Sequence, residues 1–130
     1  MDKPIDGRGV VQRGGFTLLV CGGRDYTDRE AAFAALDRAD QKRHIEAVVH
    51  GGQRGADALA AEWAIAHRRR ELRYDADWAG RGPAAGPERN ARMLEKGLPD
   101  GVCAFPGGRG TADMIRRAEA AGLPVWKPYG

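Results

Sequence analysis

Phe16-Thr17-Leu18-Leu19-Val20-Cys21-Gly22-Gly23-Arg24-Asp25-Tyr26-Thr27-Asp28-Arg29-Glu30 carries the pattern that decides the fold. The apolar run from Phe16 to Cys21 has no clean polar alternation, as expected of a strand covered on both faces. It ends in a glycine pair. Thr27 and Glu30 then stand at capping-box spacing, with Thr27 as N-cap, and open an Ala-rich helix to about Lys42 that carries Phe33 and Leu36 on one stripe. The strand, glycine turn and helix recur. Ile45 to His50 ends in Gly51-Gly52, and a helix from about Ala56 to His67 follows, with Leu59 and Trp63 on one side. Val102 to Phe105 ends in Pro106-Gly107-Gly108, and Thr111 is placed to cap a helix with Met114, Ile115 and Ala118 facing in. Leu72 to Ala76 and Pro124 to Trp126 are weaker strands. Pro87 suits the first turn of a further helix carrying Met93 and Leu94. Alternating strands and helices predict an α/β fold: a single Rossmann-like domain, a mainly parallel sheet of about five strands with helices on both faces.

A chain of 130 residues is one domain's length. Residues 1–14 are polar and glycine-containing and are expected to form a flexible N-terminal tail, leaving 15–130 as the domain. A 42% hydrophobic and 30% charged composition is that of a globular protein and excludes wholesale disorder. No apolar run approaches the roughly 18–20 residues of a membrane span, and the N-terminus lacks a secretory apolar region. Cys21 and Cys103 lie in apolar runs and read as buried free thiols, which places the protein in a reducing cytoplasm. Serine is absent, which excludes a serine-nucleophile hydrolase. No His/Cys spacing matches a zinc site, so no protein metal site is expected. Trp63 and Trp126 read as core, while Trp78 and Tyr26 stand near loops where a base could stack.

Parallel α/β sheets bind ligands at the carboxyl ends of their strands. Three strand ends here carry similar loops: Gly22-Gly23-Arg24-Asp25, Gly51-Gly52-Gln53-Arg54-Gly55-Ala56-Asp57 and Gly107-Gly108-Arg109-Gly110-Thr111-Ala112-Asp113. Glycine is 19 of 130 residues, about twice the usual ~7%, and the excess is concentrated in these loops. Glycine lets backbone N–H groups approach a ligand, and a helix N-terminus adds free donors and partial positive charge. The cations are mostly arginine, which suits planar recognition of phosphate or carboxylate. A net charge of +3 fits a small anion better than it demands nucleic acid. Neither the P-loop nor the G-x-G-x-x-G fingerprint is met, which speaks against an ordinary P-loop NTPase or dinucleotide redox enzyme. A fourth segment, Gly80 to Arg92, places Arg89 and Arg92 on one helix face. It also holds Asn90, which is suited to read a base or ribose. In each Arg–Asp loop two readings stay open. Either Arg binds phosphate while Asp holds ribose hydroxyls or a metal such as Mg, or the pairs neutralise each other.

These segments resemble a known family. Val20 to Asp28 is similar to the opening signature of the YspA-type (YpsA-related) branch of the SLOG superfamily, a domain of largely unknown function. Val49 to Asp57, Ala85 to Leu94 and Ala104 to Met114 resemble its later loops in order, so the likeness covers about residues 16–127. The resemblance implies a Rossmann-like fold that binds a nucleotide or nucleotide derivative. The superfamily includes Smf (DprA) and the lonely guy phosphoribohydrolases, and its frequent dimers imply a homodimer. The lonely guy enzymes carry P-G-G-x-G-T-x-x-E with a catalytic glutamate. Here Pro106 to Thr111 fit, but the glutamate position is Met114, and a thioether cannot activate water.

The leading expectation is a sensor or ligand-binding module. Gly22, Gly23, Gly51, Gly52, Gly55, Gly107, Gly108, Gly110 and Thr111 line the loops, and Arg24, Arg54, Arg89 and Arg109 neutralise phosphate. Asp25, Asp57 or Asn90 reads the sugar or base. The alternative is hydrolysis of an N-glycosidic or phosphoribosyl bond with Asp113 as the carboxylate, and Asp57 or Asp25 as substitutes. Single-stranded nucleic acid, suggested by a pI near 9.1, ranks last among the partners.

Overall fold

The computed structural model describes residues 15–130. The tail assigned to residues 1–14 lies outside them. Five strands alternate with helices: β1 (Phe16–Cys21), α1 (Arg29–Lys42), β2 (Ile45–His50), α2 (Ala56–Ala66), β3 (Arg70–Arg73), α3 (Trp78–Arg81), α4 (Ala85–Gly97), β4 (Gly101–Ala104), α5 (Arg109–Ala120) and β5 (Val125–Trp126). A 3₁₀ turn over Gly82–Ala84 joins α3 to α4. All the strand pairings are parallel, in the order β3-β2-β1-β4-β5.

The apolar runs work as expected because successive side chains serve opposite layers. Leu18 and Val20 pack with Ala32, Ala35 and Leu36 of α1 and with Ala60, Trp63 and Ala64 of α2. Leu19 and Cys21 turn the other way, to Met93 of α4 and to Met114 and Ala118 of α5. Helices therefore cover both faces, and the two cysteines fall one in each layer. Burial pushes both thiols up to about 12; for Cys21 the Asp57 charge adds to it. Both are inert at neutral pH. No helix of the described residues is long and apolar enough to cross a membrane.

Several local readings shift. Helix α1 is capped by Asp28, not Thr27: the Asp28 carboxylate accepts the Ala31 N–H at 3.0 Å. Asp at this position offers the same oxygen as Thr, and the helix simply starts one residue later. Strand β3 is Arg70–Arg73 rather than Leu72–Ala76, since pairing with β2 sets its register. Thr111 does not cap α5. Gly108 holds that place without a side-chain bond, and Thr111 is buried inside the first turn. Trp126 is not core. It lies on the short edge strand β5 and keeps 38% of its surface exposed.

One polar cluster ties the α1–β2 turn to α2's end. Arg69 donates to both Asp40 oxygens at 2.7 and 3.1 Å and to the Ile45 carbonyl, while Asp40 also accepts the Ile45 N–H at 2.8 Å. The Arg69 guanidinium holds the Asp40 carboxyl below its ordinary value against the opposing effect of burial. A depressed carboxylate contributes stability that is full above about pH 4 and is lost as pH falls through the folded-state value. Asp40→Asn is expected to cost about 2 kcal/mol at pH 7. The gap to wild type should narrow in urea melts at pH 3. A gap that is the same at both pH values would show that the charge contributes nothing.

Candidate functional site

The sheet order fixes where a cleft opens. From β1 the chain runs outward through β2 and β3, then returns to lay β4 and β5 on the other side of β1. The loops after β1 and β4 therefore diverge at the carboxyl end of the sheet, the usual ligand crevice of such folds. A cavity of about 1050 Å³ lies there.

Its walls come from all four glycine-bearing segments. Gly22, Gly23, Arg24 and Asp25 line it from β1, Gly51 and Asp57 from β2, Arg89 and Asn90 from α4, and Gly107, Gly108, Arg109, Gly110, Thr111 and Asp113 from β4 and α5. Three expected residues are not among the lining. Gly52 turns toward the Arg73–Asp75 ion pair outside. Arg54 is an exposed side chain pairing with exposed Asp25 at 3.1 Å. Gly55 has φ +80°, and a Cβ there would stand 2.5 Å from the Arg24 carbonyl group. Its role is to let α2 begin against the β1 loop, where Ala56 N–H donates to Gly23 O at 3.1 Å. The sequence pattern could not separate these residues from lining ones, because loop glycines serve close packing and ligand approach alike. Gly22 shows both uses: it lines the cleft, yet a Cβ on it would come within 2.6 Å of the Ala56 Cβ.

The floor is a buried polar chain. Arg89, only 7% exposed, donates from Nη1 to Gly51 O at 2.7 Å and from Nε to Asn90 Oδ1 at 3.0 Å. The approach needs Gly51, whose added Cβ would meet the guanidinium at 2.5 Å. Asn90 Nδ2 reaches Gly110 O at 3.2 Å and Asp113 Oδ2 at 3.0 Å. Asp113 also pairs with Arg116 and Arg117, each at 2.8 Å. Burial would raise its carboxyl, but Asn90 and Arg117 outweigh that and hold it below the ordinary value. The setting of Asp113, bonded to Asn90 and paired with Arg116 and Arg117, favours its carboxylate form. Met114 beside it is buried in the α4–α5 layer and is not among the cleft's lining residues.

Among the described residues Arg89 forms no ion pair. Burial pushes its pKa down, and the charge of Asp57 partly offsets this. Asp57, itself 8% exposed, accepts the Gln53 N–H at 3.2 Å, and burial raises its carboxyl above the ordinary value. His50, 2% exposed, completes the support. Its Nδ1 accepts the Gly52 N–H at 3.0 Å, so Nε2 carries the proton toward Glu71 at 2.6 Å. His50 and Gln53 are structural parts of the β2 loop that loop composition alone does not single out. Among the described residues no group of three or more His, Cys, Asp or Glu side chains could hold a metal ion.

The fold is that of a Rossmann-like domain, with the cleft at the sheet's switch point. Residues 16–80 match the family described as YspA, cpYpsA-related SLOG family, and the chain belongs to that family. It is also similar to the Gene 61 protein of Mycobacterium phage D29, at 39% identity over 116 residues, covering 83% of this chain and 92% of that protein. The family match ends at Gly80, so it covers the β1 and β2 loops. Arg89, Asn90 and the α5 loop lie beyond it.

Proposed function

We propose that this domain is a ligand-binding module for a nucleotide-derived anion, held in the cleft between the β1 and β4 loops. The observation that carries the reading is Arg89. Among the described residues it is a buried guanidinium without a carboxylate in ion-pair distance, on the floor of a cavity open to solvent. An unpaired buried cation is costly, and an incoming phosphate oxygen is the partner that would relieve the cost. Arg24 and Arg109 on the walls add charge, and the uncapped start of α5 at Gly108 supplies free N–H donors. Asn90 and Asp113 are positioning residues in this reading: their engaged side chains hold Arg89 and the α5 loop in place. A magnesium ion, where one accompanies the ligand, would rest on the ligand's own phosphates.

A thermal-shift panel of nucleoside monophosphates, cyclic nucleotides, NAD and ADP-ribose tests it. A ligand at ~100 times its dissociation constant adds about 2.7 kcal/mol, which is roughly 10 °C for a domain this size. No shift for any compound at millimolar concentration would sink the proposal.

A second reading, hydrolysis of an N-glycosidic bond, gains one observation. Asp57 faces the same cleft with its carboxyl raised by burial, as a general acid requires. The same panel, followed for free base, decides it: release that disappears in Asp57→Asn would make the domain a hydrolase.

A further inference from the structure

Two aromatic side chains line the cleft, and they differ in what covers them. Tyr26 stacks on Phe105 with centroids 5.1 Å apart. Trp78 stacks on no other aromatic ring among the described residues and leaves 44% of its surface exposed at the cleft wall, an unusual exposure for so large an apolar ring. Its placement is built. It opens α3, where Asp77 Oδ1 accepts the Gly80 N–H at 3.0 Å. Arg81 then grips Glu88 at 2.6 Å, tying α3 to α4. The outer edge of the indole rests on Gly86, where an added Cβ would stand 3.1 Å from the ring.

Gly86 and Arg89 are three residues apart on α4 and so share a face. The two positions are about 4.5 Å apart along the helix, and Trp78, Gly86 and Arg89 all line the cleft. The Arg24 guanidinium sits over the Trp78 ring, 5.3 Å from its centroid, and is tied to Gln53. The Arg24 side chain is exposed, and a planar guanidinium stacks on a base as well as on an indole.

We infer that Trp78 is the stacking platform for the aromatic base of the ligand, with Arg24 closing over the other side and Arg89 taking the phosphate. This rests on the anion reading of the cleft and narrows it: the site selects base-bearing nucleotides over sugar phosphates. Trp78 is thereby a specificity-determining residue.

Calorimetric titration of the full chain with adenosine 5′-monophosphate and with ribose 5-phosphate tests the inference. Wild type should prefer the nucleotide by roughly 5- to 100-fold, the scale of one base–aromatic stack. Trp78→Ala should erase the preference while ribose 5-phosphate binds as before, which also reports an intact fold. Trp78→Phe, which keeps a ring, should retain most of it. Two results overturn the role of Trp78 and leave the anion site standing: ribose 5-phosphate binding as well as the nucleotide to wild type, or a preference that survives Trp78→Ala. Failure of both compounds to bind wild type overturns the anion reading and this inference with it.

Discussion

Arg89→Met is expected to weaken binding of adenosine 5′-monophosphate about 100-fold, the largest loss from any single change in the cleft. The guanidinium is 7% exposed and already holds its fork in place through Gly51 O and Asn90 Oδ1. A phosphate therefore meets a preorganised donor, and truncating one partner of a buried charged pair costs about 2–5 kcal/mol, of which 2.7 corresponds to 100-fold. The fold should survive. Met removes a buried charge that lacks an ion-pair partner among the described residues, and that gain opposes the lost bonds to Gly51 and Asn90, each worth about 1–3 kcal/mol. Arg89→Lys keeps the charge but not the planar fork, and should recover only part of the affinity. Titration calorimetry of the three proteins reads this directly. Unchanged affinity in Arg89→Met would remove the cation on which the binding proposal stands.

Trp63→Ala should have the largest effect on the fold, with little on the cleft. Trp63 is fully buried between α1, α2 and the sheet. Its Nε1 donates to Asp37 at 2.9 Å, its ring stacks on His67 at 4.2 Å, and Arg69 lies 5.4 Å from its centroid. Truncating a buried Trp costs about 3–5 kcal/mol from lost transfer and the cavity left behind. The melting temperature should fall by roughly 10–20 °C. Trp63→Phe keeps most of the volume and should cost less than half as much. Urea melts at 25 °C read the free-energy losses of both variants and a thermal melt reads the temperature shift, and a loss under 1 kcal/mol for Trp63→Ala would contradict the packing account. Any Trp63→Ala protein still folded should bind adenosine 5′-monophosphate as wild type does, since Trp63 is not among the lining residues.

How much was legible in the sequence depended on the range of the forces involved. The runs Phe16–Cys21 and Ile45–His50 were readable to the residue, because a strand covered on both faces must be apolar at nearly every position. Asp28 displaced Thr27 as cap because Asp-x-x and Thr-x-x patterns overlap, and only the backbone decides which side chain meets the open N–H groups. Trp126 defied its hydrophobicity because β5 is a short edge strand, whose outer side has no neighbouring strand to cover it. Gly52, Arg54 and Gly55 share their motif with Gly51 and Asp57. Yet Gly51 and Asp57 line the cleft, while Gly52 faces the Arg73–Asp75 pair and Arg54 reaches across to Asp25.

The sequence by itself determined the alternation of strand, glycine turn and helix, and with it a parallel sheet whose loops gather on one rim. Local hydrophobic runs and turn chemistry suffice for that, since each acts over a few neighbouring residues. Only the tertiary structure decided which charges have partners. Among the described residues Asp113 meets Asn90, Arg116 and Arg117, while Arg89 meets Gly51 and Asn90 and no carboxylate. Arg89 and Gly51 are 38 residues apart in the chain, and Asn90 and Asp113 are 23 apart. The pairing of a charge depends on distance in space and on the water left around it, and neither is written in the order of the residues.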